Sequence, residues 1–321
     1  MFTVLQNHKG KIKKITVDKI TSLDTDWIDC YNPSDQELSL LVKKTGLPLT
    51  RLKSYIYDKV RPHVVEMKNF SLIIFAVPSF KNNKVHITNL NIFLFGNNNI
   101  LTLHNNKELS ILQTITDLIK TDQPTLLDNP SHFVFNLMTE VITDYFSILE
   151  QLHASVDQLE DEILNLPRFT QTREIRDFKR NILYVHRALT ANREVIVSIE
   201  KQYLSRISKQ EIKKYRFIYN DLVQLIDMNE TYRDILTTAM ELYLTNISNT
   251  LNNTVKRLTG WGGLILIPTL IASIYGMNFH DTASKYNMPE LQWKFGYFFA
   301  LGLIIGSTIL LYYYFKKKDW L

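Results

Sequence analysis

Cysteine is almost missing from this chain. Only Cys30 is present, so no intrachain disulfide can form and the bulk of the chain suits a reducing compartment. Glycine and proline are sparse as well, at 10 and 9 of 321 residues. There is no glycine-rich loop to cradle nucleotide phosphates, and no paired-cysteine zinc motif, two-histidine zinc helix or serine elbow occurs. The eight histidines are scattered, and no nucleophile can be paired with a base. Enzyme chemistry is not expected. The net charge of +5 is modest, and the lysines and arginines are not gathered into an aromatic-studded stripe, which argues against a nucleic-acid partner. No internal repeat or low-complexity segment is seen, and Met1–Lys14 lacks the apolar core of a signal peptide.

Charge is also missing from two late windows, which the overall mean hydropathy of −0.10 conceals. Leu258–Phe279 and Phe295–Phe315 hold no Asp, Glu, Lys or Arg. At about 1.5 Å per residue, each reaches across the roughly 30 Å hydrocarbon core of a bilayer. Lys256 and Arg257 precede the first window, and Lys316, Lys317 and Lys318 follow the second. Positive charge marks the cytoplasmic side. The reading is therefore a multi-pass protein of the inner or plasma membrane, with both termini cytoplasmic, residues 280–294 as an external loop and 316–321 as a basic tail.

The first span, 258–279, is broken by small and polar residues. Steps of three or four from Asn252 give Val255, Leu258, Gly262, Leu266, Thr269 and Ser273 on one helical stripe. Such a stripe fits a pore lining or a seam between helices, and periodicity does not separate the two.

Ahead of the spans, Ser208 to Tyr275 carries no glycine before Gly260 and one proline, Pro268, which predicts a single helix on the order of 100 Å long. Helices are also expected at Ser131–Leu164 and Arg173–Ile207, an antiparallel hairpin parted by Pro167, so 129–257 reads as a hairpin plus a stalk. Residues 1–128 alternate strand-like runs (Ser71–Pro78, Asn89–Phe95, Ile100–Leu103) with helical patterns (Asp35–Lys44, Lys107–Lys120), an α/β cytoplasmic domain. The fold class is α+β, with the long helical stalk and two C-terminal transmembrane helices.

The first span ends in Tyr275, Gly276, Met277, Asn278, the following loop carries Met288, Pro289, Glu290, Leu291, and the second span closes on Lys316, Lys317, Lys318, Asp319, Trp320, Leu321. This pattern resembles the CorA magnesium transporter family. Further likeness covers nearly the whole chain: Trp27, Ile28, Asp29 with Asn32 and Pro33, Arg61 with Pro62, Leu90–Leu94, and Asp157–Glu162. The resemblance implies a funnel-shaped homopentamer whose first spans surround one pore. It implies uptake of magnesium and cobalt, with nickel a further candidate ion, and no cofactor. Gly276, Met277 and Asn278 become the selectivity filter, Gly276 allowing a tight turn, with Glu290 in the external loop and Lys316, Lys317 and Lys318 forming a basic collar. Rings of Asn252, Thr269, Ser273 and Asn278 offer oxygens to a hydrated ion, and Leu258 and Leu266 form apolar constrictions.

Family members commonly place regulatory carboxylates between neighbouring subunits, just before the strand matching Phe70–Phe75 and early on the stalk. Lys68, Asn69, Arg216, Phe217 and Ile218 stand there instead, so inhibition by internal magnesium is expected to be weaker or to use other residues. Glu66, Asp221 and Glu241 are the candidates, with plain solvated charges as the alternative. A zinc transporter of the same family and a two-span anchor for a cytoplasmic interaction domain stay open, although the intact Met277 favours the magnesium and cobalt branch.

Overall fold

The computed structural model describes residues 2–8, 11–15, 27–58, 60–96, 99–106, 109–121, 127, 129–165, 170–278 and 286–321. They form two units, Met1–Met240 and Glu241–Leu321.

In the first unit the strands are β1 (Phe2–His8), β2 (Lys11–Ile15), β3 (Trp27–Tyr31), β4 (His63–Glu66), β5 (Phe70–Lys81), β6 (Lys84–Phe95) and β7 (Ile100–His104). They make one sheet in the order β2-β1-β3-β7-β6-β5-β4. Among the described residues, only β3 and β7 pair in parallel. Asn82 and Asn83 join β5 to β6 with φ of 52° and 59°, the left-handed pair that a two-residue hairpin turn demands and that asparagine tolerates.

Alternate side chains on each strand face opposite layers. Phe70, Leu72 and Ile74 of β5 join Leu101 and Leu103 in a buried cluster with Leu38 and Leu41 of α1 (Asp35–Thr45) and Leu52, Tyr55 and Ile56 of α2 (Leu49–Tyr57). Ser34 and Glu37 form a reciprocal capping box at the start of α1, and Gly46 closes it with φ of 68°, so both ends of the helix satisfy their free backbone groups. On the other face lie α4 (Pro130–Asn165) and α5 (Gln171–Glu200), with α3 (Ser110–Thr121) against α4. Trp27 of β3 meets the Phe133 ring of α4 at 5.0 Å.

The α5 layer is fixed by asparagines. β4 pairs with β5 only over Ser71–Ile74, leaving Ala76 beyond its reach. The buried Asn192 amide takes the place of a strand there, accepting from the Ala76 N–H at 2.8 Å and donating to its carbonyl at 2.8 Å. The Tyr145 hydroxyl donates to the same carbonyl at 3.1 Å. Burial pushes the Tyr145 phenol above its ordinary range, which keeps it a donor. Asn181 likewise accepts from Val85 N–H and donates to the Asn83 carbonyl. These contacts tie α4 and α5 to the sheet, so the first unit runs on past residue 128, where the sequence placed a domain boundary.

The long helix α6 spans Lys209–Tyr275 without interruption, with Pro268 inside it. α5 stops at Glu200 rather than running to Ile207. Gln202 adopts φ of 60°, its N–H bonds to the Ile199 carbonyl, and the Tyr203 N–H bonds back to Ser198; these are the paired bonds of a Schellman stop. The second helix of the spans, α7, covers Gly296–Lys317 and is preceded by a short 3-10 helix, Pro289–Gln292. The expected helix start at Lys107, the break at Leu166 and Pro167, and residues 279–285 of the span end and external loop lie outside the described residues.

Candidate functional site

Helices α6 and α7 each hold an apolar window long enough to cross a bilayer, with mean hydropathy of 1.5 and 1.8, and hardly any of either window is covered within the chain. On α6 the covered or partly covered positions of the span are Gly260, Gly263, Leu264, Ile267, Pro268, Ile271 and Tyr275. At about 100° per residue these fall on one side of the helix. The stripe read from the sequence (Asn252, Val255, Leu258, Gly262, Leu266, Thr269, Ser273) falls on the opposite side, and every member of it is exposed. Leu258 and Leu266 are 72% and 70% exposed, so the described residues leave most of each side chain uncovered.

The covered side is where α7 returns. A methyl group on Gly263 would sit 3.0 Å from the Phe315 ring, closer than a carbon tolerates, so glycine permits that approach. At the other end the Tyr275 hydroxyl donates to a Glu290 carboxylate oxygen at 3.1 Å, tying the end of the first span to the segment that leads into α7. Glu290, assigned from sequence to the loop, thus contacts the last turn of α6. The expected outcome for Tyr275→Phe is a two- to fivefold weaker apparent affinity for external Mg²⁺, the effect of losing about 0.5–1 kcal/mol from a solvent-near hydrogen bond. Uptake measured against external concentration checks it.

Gly276, Met277 and Asn278 follow the last turn of α6 and are all exposed. The Gly276 N–H still bonds to the Ala272 carbonyl at 3.0 Å. Gly276 is not in the left-handed region, and a Cβ there would meet the Ala272 and Ser273 carbonyls at 3.4 and 3.5 Å, ordinary contact. Gly276 therefore stands in the turn that ends α6, as expected, in a backbone conformation that other residues also adopt. The Thr269 hydroxyl donates its proton to the Ile265 carbonyl at 2.7 Å, which leaves its lone pairs as acceptors.

The three regulatory candidates separate. Glu66 receives the Ser71 hydroxyl at 2.5 Å on one oxygen, and the Ser205 hydroxyl at 2.6 Å and Arg206 at 2.9 Å on the other. A hard cation at Glu66 would have to displace the chain's own guanidinium. Asp221 is half-buried, and burial pushes its carboxyl above the usual range. Glu241 is exposed in the second unit. Among the described residues, no three His, Cys, Asp or Glu side chains gather to hold a metal ion. Arg206 is what sequence reasoning missed, since its partners lie 135 or more positions away.

Comparisons with known proteins agree with this layout. The family model described as CorA-like Mg2+ transporter protein matches residues 22–317. The cobalt/magnesium transport protein CorA of Methanocaldococcus jannaschii is 30% identical over 326 residues, covering 100% of both chains. That of Thermotoga maritima is 28% identical over 262 residues, covering 81% of this chain and 73% of its own. The solved complete structure of the M. jannaschii CorA magnesium transporter superposes with a TM-score of 0.85 at 27% identity, over 100% of this chain and 99% of that one. With the match running from the sheet through both apolar helices, the chain belongs to the CorA-like Mg2+ transporter family.

Proposed function

We propose that this chain, a magnesium and cobalt transporter of the cell membrane and not an enzyme, works as a homopentamer in which five copies of the α6 stripe enclose the ion path. One observation carries this reading: the stripe holding Asn252, Thr269 and Ser273 is exposed on the side of α6 away from α7. Polar side chains facing lipid are costly, whereas around a shared axis they face water. Both termini are cytoplasmic, and residues 280–294 face outward. Gly276, Met277 and Asn278 ring the outer mouth, where amide and hydroxyl oxygens accept hydrogen bonds from the water shell of Mg²⁺, an ion that dehydrates reluctantly. Leu258 and Leu266 form apolar constrictions.

Competition among ions tests the filter. Mg²⁺ uptake should be inhibited by Co²⁺ and Ni²⁺ and by an exchange-inert hexa-coordinate cation of the size of the hydrated ion. A site preferring Zn²⁺ and indifferent to the inert complex would instead strip water, and would move the chain to the zinc branch.

Internal Mg²⁺ is expected to inhibit weakly. Glu66 is held by Arg206 and two serines, leaving Asp221 and Glu241 as ligand candidates too few for a tight hard-cation site. Millimolar internal Mg²⁺ should lower flux by less than about twofold, under 0.5 kcal/mol of coupling. Strong inhibition of any kind would contradict it, and strong inhibition that survives Asp221→Ala with Glu241→Ala would also remove these two candidates.

A further inference from the structure

Positive charge is concentrated where α7 ends. The Asp319 N–H bonds to the Lys316 carbonyl at 3.2 Å, the Trp320 N–H bonds back to Phe315 at 3.0 Å, and Asp319 adopts φ of 56°. This is the Schellman stop again, and it folds Trp320 flat onto the Phe315 ring with centroids 5.5 Å apart and planes 4° apart. Phe315 rests on Gly263, and the Trp320 carbonyl and Leu321 lie against Gly260, 3.1 and 3.3 Å from where a Cβ would stand. Gly260 is one helical turn past Arg257. The end of α7 thus lies against the turn of α6 that follows Lys256 and Arg257, which places Lys316, Lys317 and Lys318 within about one to two helical turns of them along α6.

All five side chains are exposed, and among the described residues none of them makes an ion pair. Asp319 is the one carboxylate side chain among them. Along α6 the next is Glu241, about four turns away, and α7 has none. Five cations gathered near the same end of the two spans repel one another and call for anions from outside the chain. The aromatic residues say what kind. Tyr312, Tyr313 and Tyr314 are exposed in the last turns of α7, Lys316 Nζ lies 5.8 Å from the Tyr312 ring centroid, and Trp320 is partly exposed beside them. Tyrosine and tryptophan next to lysine at the end of a span mark headgroup depth, where the anions available are lipid phosphates.

We infer that Lys256, Arg257, Lys316, Lys317 and Lys318 form a binding site for the headgroup of an anionic phospholipid of the cytoplasmic leaflet. The inference rests on the membrane reading above and not on the ion filter. Shared between a lipid and free phosphate is the phosphate anion, and the surface commits to the lipid because its aromatic flank reaches the acyl boundary.

Native mass spectrometry of the full-length protein in mild detergent, given equal phosphatidylglycerol and phosphatidylcholine of distinct mass, tests it. Phosphatidylglycerol should be retained at least about fivefold over phosphatidylcholine, and the preference should shrink as salt rises from about 50 to 300 mM. Lys316→Gln with Lys317→Gln and Lys318→Gln should bring the ratio near one. The matching triple arginine variant should keep it, which separates loss of charge from loss of fold. Sodium phosphate should displace the lipid no more than chloride of equal ionic strength. Equal retention of the two lipids by wild type, a preference that survives the glutamine variant, or selective displacement by phosphate would overturn the assignment. Because binding is read without flux, transport failure and lipid-site failure are told apart.

Discussion

Asn278→Ala should reduce Mg²⁺ uptake at least about tenfold while leaving an assembly of unchanged mass. Five copies of the amide are proposed to take hydrogen bonds from the hydrated ion, and a tenfold loss corresponds to only about 1.4 kcal/mol of lost stabilisation, less than five removed acceptors can account for. Asn278 is exposed beyond the end of α6, so its removal leaves no cavity in the fold. Gly276→Ala is the informative companion. Its new methyl meets only ordinary contacts within the chain, so a loss of flux reports a narrowed ring and not a broken helix end. Flux in proteoliposomes with both variants, beside the mass of the solubilised assembly, is the measurement. Wild-type rates in both would remove the filter from these residues.

The second large effect concerns stability. Arg206 donates to Glu66 at 2.9 Å, to the Met67 carbonyl at 3.3 Å, to the Lys68 carbonyl at 2.9 Å and to Ser71 at 3.2 Å. It fastens the segment between α5 and α6 to the turn between β4 and β5. Arg206→Ala leaves the Glu66 carboxylate without its cation and two carbonyls without a donor. Breaking a buried pair costs about 3–5 kcal/mol; since the Glu66 side chain is 34% exposed, about 2–3 kcal/mol is the expected loss. Thermal unfolding of the full-length protein should shift down by roughly 5–10 °C. Arg206→Lys should recover only part of it, because an ammonium cannot reproduce the fork. An unchanged midpoint for Arg206→Ala would show that the clamp does not hold the first unit.

What the sequence made legible follows from how local each signal is. The two spans are uncharged over whole windows, and α6 runs from Lys209 to Tyr275 because no glycine or unprotected proline stops it before the membrane. β5 declares itself by a continuous apolar run. Its partner β6 begins at Lys84, five residues ahead of the expected start, because its first half is only partly buried and mixes polar with apolar residues. β1 to β4 escaped detection: none carries a continuous apolar run like that of β5, and β3 is fixed by parallel pairing with β7, far along the chain. The end of α5 was missed for a different reason. The left-handed stop falls on Gln202, where no glycine announces it. The stripe proposed to line the pore could be drawn from helical spacing, but spacing is indifferent to which side of the helix a neighbour covers; α7 covers the Gly260, Gly263 side. Glu66 looked like a free carboxylate because Ser205 and Arg206, its donors, are 139 and 140 positions away.

The central claim is that this chain alone carries Mg²⁺ across a bilayer. The purified full-length protein in liposomes loaded with a Mg²⁺ indicator, under an imposed inside-negative potential, tests it most directly. A divalent ion gains about 4.6 kcal/mol per 100 mV on crossing inward, so uptake should rise steeply with potential, saturate with external Mg²⁺ and be shared with Co²⁺. Protein inserted at the expected density that gives no Mg²⁺ uptake above empty liposomes at any potential would contradict the account.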